Sequence, residues 1–378
     1  MKLFGRKTGR EAARPALARS GVGVAAVGDW PRSYEAQVRD GYLANPVAQR
    51  AIRLVAEAVG SAPLAGDARV VALVGARSGG QALLEVMTAQ LLLHGNAYAQ
   101  VLRDAEGAPA ELFALRPERV AVEADAGGWP AAYRYRVGER SISLSAGPER
   151  PEVVHVRSFH PLDDHYGLGC LGAAAGAVAI HNAATRWNKA LLDNAARPSG
   201  ALVYAPADGS ALAPDQFERL RTEMEAGFAG AANAGRPMLL EGGLSWQAMS
   251  LSPADMDFVS LKAAAAREIA LAFGVPPMLM GLPGDATYAN YREANRALWR
   301  LAVLPIADTV LTAIGQGLRG WFGDEGVRVD LDRVPALAED RAALWAMVSG
   351  ADFLSTDEKR ERLGLGTTGR GLGLGVKP

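Results

Sequence analysis

Phe273-Gly-Val-Pro-Pro-Met-Leu-Met-Gly281, followed by Gly284-Asp-Ala-Thr-Tyr-Ala-Asn290, is the stretch on which the reading of this chain turns. Pro276 and Pro277 have no backbone donor and a fixed φ, so a helix arriving at Phe273 has to stop there. A loop bounded by Gly and Pro follows, Met278 to Tyr288, and a second helical pattern begins. Upstream, Phe258, Leu261, Ala265, Ile269 and Ala272 recur at three-and-four spacing and predict a helix over Ala254 to Ala272. Downstream, a longer pattern runs from Tyr288 to about Leu318, and Pro305 is expected to kink it one turn upstream. A helix, a stiff break, a loop and another helix suit a mechanical element better than a catalytic pocket. Val275, Pro276 and Pro277 would be its hinge.

The rest of the 378-residue chain is consistent with that. Its length allows two or three packed units with a sizeable core. Formal net charge is −1, so no global field draws it to a polyanion or a membrane surface, which argues against a repressor or nuclease. Cys170 is the one cysteine, which excludes a disulfide or a cysteine-based zinc site within the chain. No apolar run follows the basic N-terminus, and Leu171 to Ile180 is too short to span a bilayer. A soluble, cytoplasmic protein with no membrane contact is expected.

Residues 1 to 28 lack periodicity and read as a flexible arm. Asn45-Pro46 offers a cap and a first-turn proline to a helix carrying Val47, Ala51, Ile52, Val55 and Val59. A second helix covers Gln81 to Leu93. Strands are predicted at Tyr98–Arg103, Glu111–Leu115, Val120–Ala124, Tyr133–Val137 and Val153–Phe159, forming one antiparallel sheet. The first half is therefore α+β. Leu171 to Ala196 reads as one long helix, with Ile180, Ala184, Trp187 and Leu191 on its apolar side and Asn182, Arg186, Lys189 and Asp193 opposite. A compact α/β insert follows, with strands at Ala201–Tyr204, Met238–Leu240 and Trp246–Met249 and a helix from Pro214. Near the end come a strand at Val327–Leu331, two short helices, the second opened by Ser355-Thr-Asp-Glu358 at capping-box spacing, and a glycine-rich tail.

Gly167-Leu-Gly169-Cys-Leu-Gly172 has the spacing of a dinucleotide fingerprint, but His160 to Tyr166 separate it from the preceding strand. Pyrophosphate binding needs the first glycine directly after a strand, so close packing at a helix entry is the expected role. His155, His160 and His165 with Asp163 and Asp164 resemble a metal set, yet spacing of five shares no helix face and His155 falls in a strand. Loop polarity is expected instead. No phosphate loop, H-E-x-x-H or G-x-S-x-G is present, so no enzyme activity, cofactor or metal is expected. Arg292, Arg296 and Arg300 form a basic line that is a solvated face, pairs with acids of a neighbouring subunit, faces a polyanion or braces the loop. Lys189 and Lys262 stand alone on the helices flanking the insert, as solvent charges or channel lining. Trp187, Trp299, Trp321 and Trp345 read as packing residues.

From Asn45 to Leu365 the chain resembles portal proteins of long-tailed double-stranded DNA phages and of phage-derived gene transfer agents. Asn45-Pro46-Val47, Leu91-Leu-Leu-His-Gly-Asn-Ala-Tyr98, Tyr166-Gly-Leu-Gly and Asn194-Ala-Ala-Arg-Pro-Ser-Gly200 carry the resemblance. Phe273-Gly-Val-Pro-Pro277 with Thr287-Tyr-Ala-Asn290, Leu304-Pro305 and Leu354-Ser-Thr-Asp-Glu-Lys-Arg360 complete it in the same order. The resemblance implies a homo-oligomeric ring of about twelve subunits at one capsid vertex, around a channel for DNA packaging and ejection. It implies a wing (29–170), stem helices (171–196 and 254–273) and a clip (197–253). A proline break with tunnel loop (274–290), a long kinked helix with wing return (291–335) and a small crown with flexible tail (336–378) would come next. The tunnel loop would be Gly281, Leu282, Pro283, Gly284, Asp285, Ala286, Thr287 and Tyr288. Implied partners are double-stranded DNA, the terminase large subunit, a head–tail adaptor and the major capsid protein. The implied location is the cytoplasm during assembly, then the vertex of a virion or gene-transfer-agent capsid. Near-neutral charge fits such a conduit, because tight phosphate neutralisation would hold DNA rather than let it slide.

Overall fold

A computed structural model describes residues 17, 33–193, 200–205, 213–228, 244–248, 258–282, 288–324 and 326–365. The flexible-arm reading of 1–28 (Leu17 apart), the strand expected at Met238–Leu240 and most of the glycine-rich tail lie outside them. The chain is α+β. Its centre is α1 (Pro46–Gly60), capped by the Asn45 side chain, which accepts from the Ala48 amide, with Pro46 in the first turn. Ala48, Ala51, Ile52, Val55 and Val59 are fully enclosed, at 0% exposure. Next come β1 (Leu64–Gly66), α2 (Ala68–Gly75) and α3 (Leu83–His94). Gly60 lets α3 lie close against α1, since a Cβ there would stand 2.8 Å from that of Glu85.

Six strands follow: β2 (Asn96–Arg103), β3 (Pro109–Leu115), β4 (Val120–Ala124), β5 (Pro130–Val137), β6 (Arg140–Ser145) and β7 (Val153–Arg157). They form two antiparallel sheets, ordered β3-β2-β7 and β4-β5-β6, where one was expected. A short turn at Pro117–Arg119 redirects the chain between them, and the two sheets enclose a second core of Tyr98, Leu115, Val120, Tyr133, Leu144 and Val153. The sequence reading passed over β6 because only Leu144 among its residues is buried. A tight turn at Gly138-Glu139, with Gly138 at φ +59, pairs Val137 with Arg140.

The second half begins with α4 (Cys170–Asp193), then β8 (Gly200–Tyr204), α5 (Pro214–Phe228), β9 (Leu244–Ala248) and α6 (Phe258–Ala272). β8 and β9 pair antiparallel, so the insert closes on itself. After α7 (Tyr288–Leu298) the helix widens into a π-turn, Trp299–Val303, before α8 (Leu304–Phe322). Pro305 supplies no amide to the Leu301 carbonyl, and the Leu304 N–H reaches back to Trp299 instead, which absorbs the proline one turn upstream. β10 (Val327–Val329), α9 (Ala338–Ser349) and α10 (Thr356–Arg362) complete the described chain. The Ser355/Glu358 capping box forms as read from sequence.

Ala289–Phe322 is long and apolar enough to cross a membrane by length and composition. Here Val303, Ala307, Val310, Leu311, Ile314 and Leu318 spend that apolarity on the core against α1 and α3. Gly317 and Gly320 let α8 approach β7, for a Cβ at either would clash with Val154 or with the Glu149 carbonyl. Arg150 then donates to the Gly320 carbonyl at 3.1 Å. β1 pairs antiparallel with β10, tying the segment after α1 to the segment after α8.

On α4 the faces differ from the sequence reading. Leu171, Ala174, Ala177, Val178 and Ala184 are buried together with Asn182 and His181, whereas Ile180 and Trp187 are 40% and 46% exposed. Asn182 is inside because it has partners. It accepts from Asn45 Nδ2 at 2.9 Å and donates to the Asp40 carbonyl at 2.9 Å. An apolarity count places such an asparagine outside; a satisfied hydrogen-bond set places it inside.

Candidate functional site

The corner at Phe273–Gly281 forms from two capping events. Gly274, at φ +65, ends α6: its amide donates to Leu271 and that of Val275 to Ala270, a Schellman pair. Phe273 and Val275 are both 2% exposed and sit in the main core. Pro277–Met280 then make a single 3-10 turn, closed by Gly281 at φ +71 with its amide on Met278. The helix thus stops at glycine two residues before the prolines forbid its return. Of the expected hinge, Val275 is anchored by burial and by its amide bond, and Pro276 and Pro277 stiffen the turn after it. Gly281 is exposed and Leu282 half-buried; Pro283–Thr287 of the expected loop lie outside the described residues, and Tyr288 opens α7.

α4 and α6 pack against each other through small residues, Ala265, Ala266 and Ala270 on α6 and the alanines of α4. Trp187 stacks on Phe258 across the pair, ring centroids 6.2 Å apart. Asn45 Nδ2 also reaches His181 Nδ1 at 3.3 Å, so one asparagine caps α1 and tethers α4. Burial lowers the His181 pKa, and the Lys262 charge pushes it the same way. Lys262 is half-buried and Lys189 exposed.

The arginine line meets acids of its own chain. Arg292 Nη1 is 2.7 Å from Glu339 Oε1, and Arg296 reaches Glu339 at 2.8 Å, Glu293 at 3.2 Å and Asp340 at 3.6 Å. Arg300 lies 3.9 Å from Asp340. Both Glu339 and Asp340 stand in the first turn of α9, where the helix dipole also favours them. Pairing with acids of a neighbouring subunit was one of the roles left open by the sequence; these carboxylates belong to the same chain, and the pairing fastens α9 to α7. Arg296, 18% exposed at its side chain, is the member with most to lose. Arg296→Glu would set four carboxylates together and is expected to lower stability by about 2–4 kcal/mol, against under ~0.5 for Arg219→Glu on exposed α5. Thermal unfolding checks this; equal small shifts for both variants would leave the cluster without a structural role.

His155 and the glycine fingerprint resolve into one packing device. Asn96 Oδ1 accepts from the Gly167 amide at 2.8 Å and from His155 Nε2 at 3.0 Å, and its Nδ2 donates to the Gly167 carbonyl at 3.2 Å. The side chain thus grips the Gly167 backbone as another strand would. A Cβ on Gly167 or Gly169 would strike the Gly95 or Leu93 carbonyl. His155 stacks on Tyr98 at 4.3 Å, and its pKa falls to about 3, chiefly through burial and then the Arg157 charge. His165 donates to the Gly128 carbonyl, and His160 accepts from the Leu162 amide. Each imidazole has its own task. Sequence reasoning found Asn45 as a helix cap but not its contacts to α4, and it missed the roles of Asn96 and Glu339; only the placement of Asn96 right after a Gly-ended helix hinted at one of these.

Among the described residues these polar groups hold elements together, around a helix pair that carries an insert. The chain belongs to the phage portal protein family, whose family model matches residues 46–364. That family is structural. A solved neck of a native gene transfer agent (GTA) particle, computed with C12 symmetry, contains a chain 50% identical, with a TM-score of 0.69, covering 92% of this chain and 97% of that one. An uncharacterized protein of Rickettsia felis is 39% identical over 349 residues, 86% of this chain and 88% of its own. An HK97-family portal protein from Corynebacterium diphtheriae has the same fold at 18% identity, with a TM-score of 0.58 over 82% of this chain and 100% of its own.

Proposed function

We propose that this portal protein closes into a ring of twelve identical subunits at one vertex of a gene-transfer-agent or phage capsid and that DNA passes through the hole. The observation that carries this is the 50% identity, over 92% of the chain, to a protein of a particle neck solved with C12 symmetry. A ring needs two different faces of each subunit to be complementary. The isolated chain offers large apolar side chains for burial, with Val259 and Leu271 on α6 exposed at 82% and 78%.

In this reading α4 and α6 form the stem, residues 29–170 the wing, 197–253 the clip that meets the terminase large subunit and then a head–tail adaptor, and 336–378 a small crown. The wing faces the major capsid protein. Gly281–Tyr288 is the tunnel loop, held at fixed height by the buried corner at Phe273–Val275. The ring assembles in the cytoplasm and ends in the particle. Lys189 and Lys262 line the channel wall, while the arginine line serves to fasten α9.

Mass photometry of the purified 39.7 kDa chain tests the ring. A closed dodecamer gives a species near about 480 kDa. A monomer that persists across concentration and salt, with or without capsid protein and scaffold, rules the reading out.

A further inference from the structure

We propose that residues 366–378 of this chain dock, in extended form, in the groove between α8, α9 and β10. Two adjoining hollows, about 370 and 290 Å³, share Leu304 as their common wall. Leu337 and Leu344 floor one; Val329 and Leu331 floor the other. Leu301 lies three residues before Leu304, and Met347 three after Leu344, a spacing that puts each on the same helix face as its lining neighbour; they are 78% and 66% exposed. α9 is apolar almost all round from Ala342 to Val348, yet only Val348 is buried. Such a helix lacks a cover.

The occupant is argued from where the described chain ends. The Leu363 carbonyl accepts from Arg341 Nη2 at 3.0 Å, and the Gly364 carbonyl from Arg328 Nη2 at 3.5 Å. Arg341 lines the first hollow and Arg328 the second, so the described chain ends beside both. The chain beyond that point includes Gly371-Leu-Gly-Leu-Gly-Val376, a strict period of two with every side chain on one side. Extended backbone advances about 3.3 Å per residue, so the segment spans the groove easily. The glycines leave its other side thin, and among the described residues β10 pairs with β1 alone, which leaves its second edge without a strand partner. Asp308 lies on the wall of the second hollow for Arg370 or Lys377 to approach.

Hydrogen exchange on the full chain and on a form ending at Leu365 tests this. Truncation should raise exchange in 326–331 and 338–349, and a fluorescent peptide of residues 367–378 should bind the truncated form saturably. Leu372→Asp/Leu374→Asp in the peptide should abolish binding, as should Met347→Asp in the protein, a change at an exposed rim that leaves the core intact. Unchanged exchange in both segments overturns the proposal, and so does peptide binding insensitive to Met347→Asp. The result does not depend on ring closure, because exchange and peptide binding can be read on monomer.

Discussion

A variant lacking Leu282–Ala286 is expected to fold, to close into the same ring and to package or retain almost no DNA. The fold should survive because the corner is complete before the loop begins. The Schellman pair at Gly274, the burial of Phe273 and Val275, and the Met278–Gly281 bond all lie upstream. Loss of function stems from the composition of the loop. Gly281–Tyr288 has no Lys or Arg and one acid, Asp285. Counterion release needs cations beside phosphates, so under the proposed tunnel-loop role the loop would act on duplex sterically. Raising or lowering ionic strength should therefore not rescue the deletion, whereas it would rescue a lost ionic contact. Nuclease-protected DNA per particle, with ring size measured alongside, is the readout. A length-preserving Gly/Ser replacement separates reach from shape: if reach is what matters, it retains packaging. Full protection of DNA by the deletion variant would end the tunnel-loop reading, and failure to form rings would make the loop an assembly element instead.

The elements most legible from sequence were those fixed by local chemistry. Asn45-Pro46 caps its helix, Ser355 and Glu358 form their box, and the proline pair marks the corner to within a residue. Pro305 announced the disturbance at Trp299–Val303 because a missing amide acts on the turn before it. Less legible was everything decided by partners far along the chain. The split into two sheets depends on a turn at Pro117 and a core that joins Tyr98 to Leu144, which no window of sequence contains. On α4, Ala184 is buried and Arg186 and Lys189 exposed as read, but Ile180, Trp187 and Asn182 are reversed, because Asn182 is drawn inside by Asn45 and Asp40, 137 and 142 residues distant. Of the candidate site, the corner was visible and the arginine line was visible as a line. Its counter-charges at Glu339 and Asp340 were not, since nothing local ties α9 to α7.

Acid should loosen this protein earlier than its carboxylates alone would allow, and His155 is the reason. Its pKa lies near 3 in the fold, far below the ordinary 6.5 of an exposed imidazole. Between those values the unfolded chain binds a proton that the folded chain refuses, so stability is complete above pH 6.5 and falls as the pH drops toward 3. The slope from this one group is about 1 kcal/mol per pH unit. His94 and His181 shift in the same direction, both mainly through burial, and steepen it. Asp67, held down to about 2 by Arg69, acts only at lower pH. Refusal of the proton is structural. Nε2 already donates to Asn96, and Nδ1 lies 3.4 Å from the Tyr133 hydroxyl, which can donate only while the ring is neutral. His155→Gln keeps a donor for Asn96 and removes the titration, so its denaturation midpoint should depend less on pH between 6.5 and 4.5. Asn96→Ala has the larger effect at neutral pH. It strands the Gly167 amide and carbonyl and the His155 donor together, for a loss of about 3 kcal/mol or more. Urea titrations at a series of pH values measure both. If His155→Gln tracks the parent slope, the imidazole charges in place with water beside it. If Asn96→Ala is neutral, Gly167 is held by its neighbours' packing rather than by that side chain.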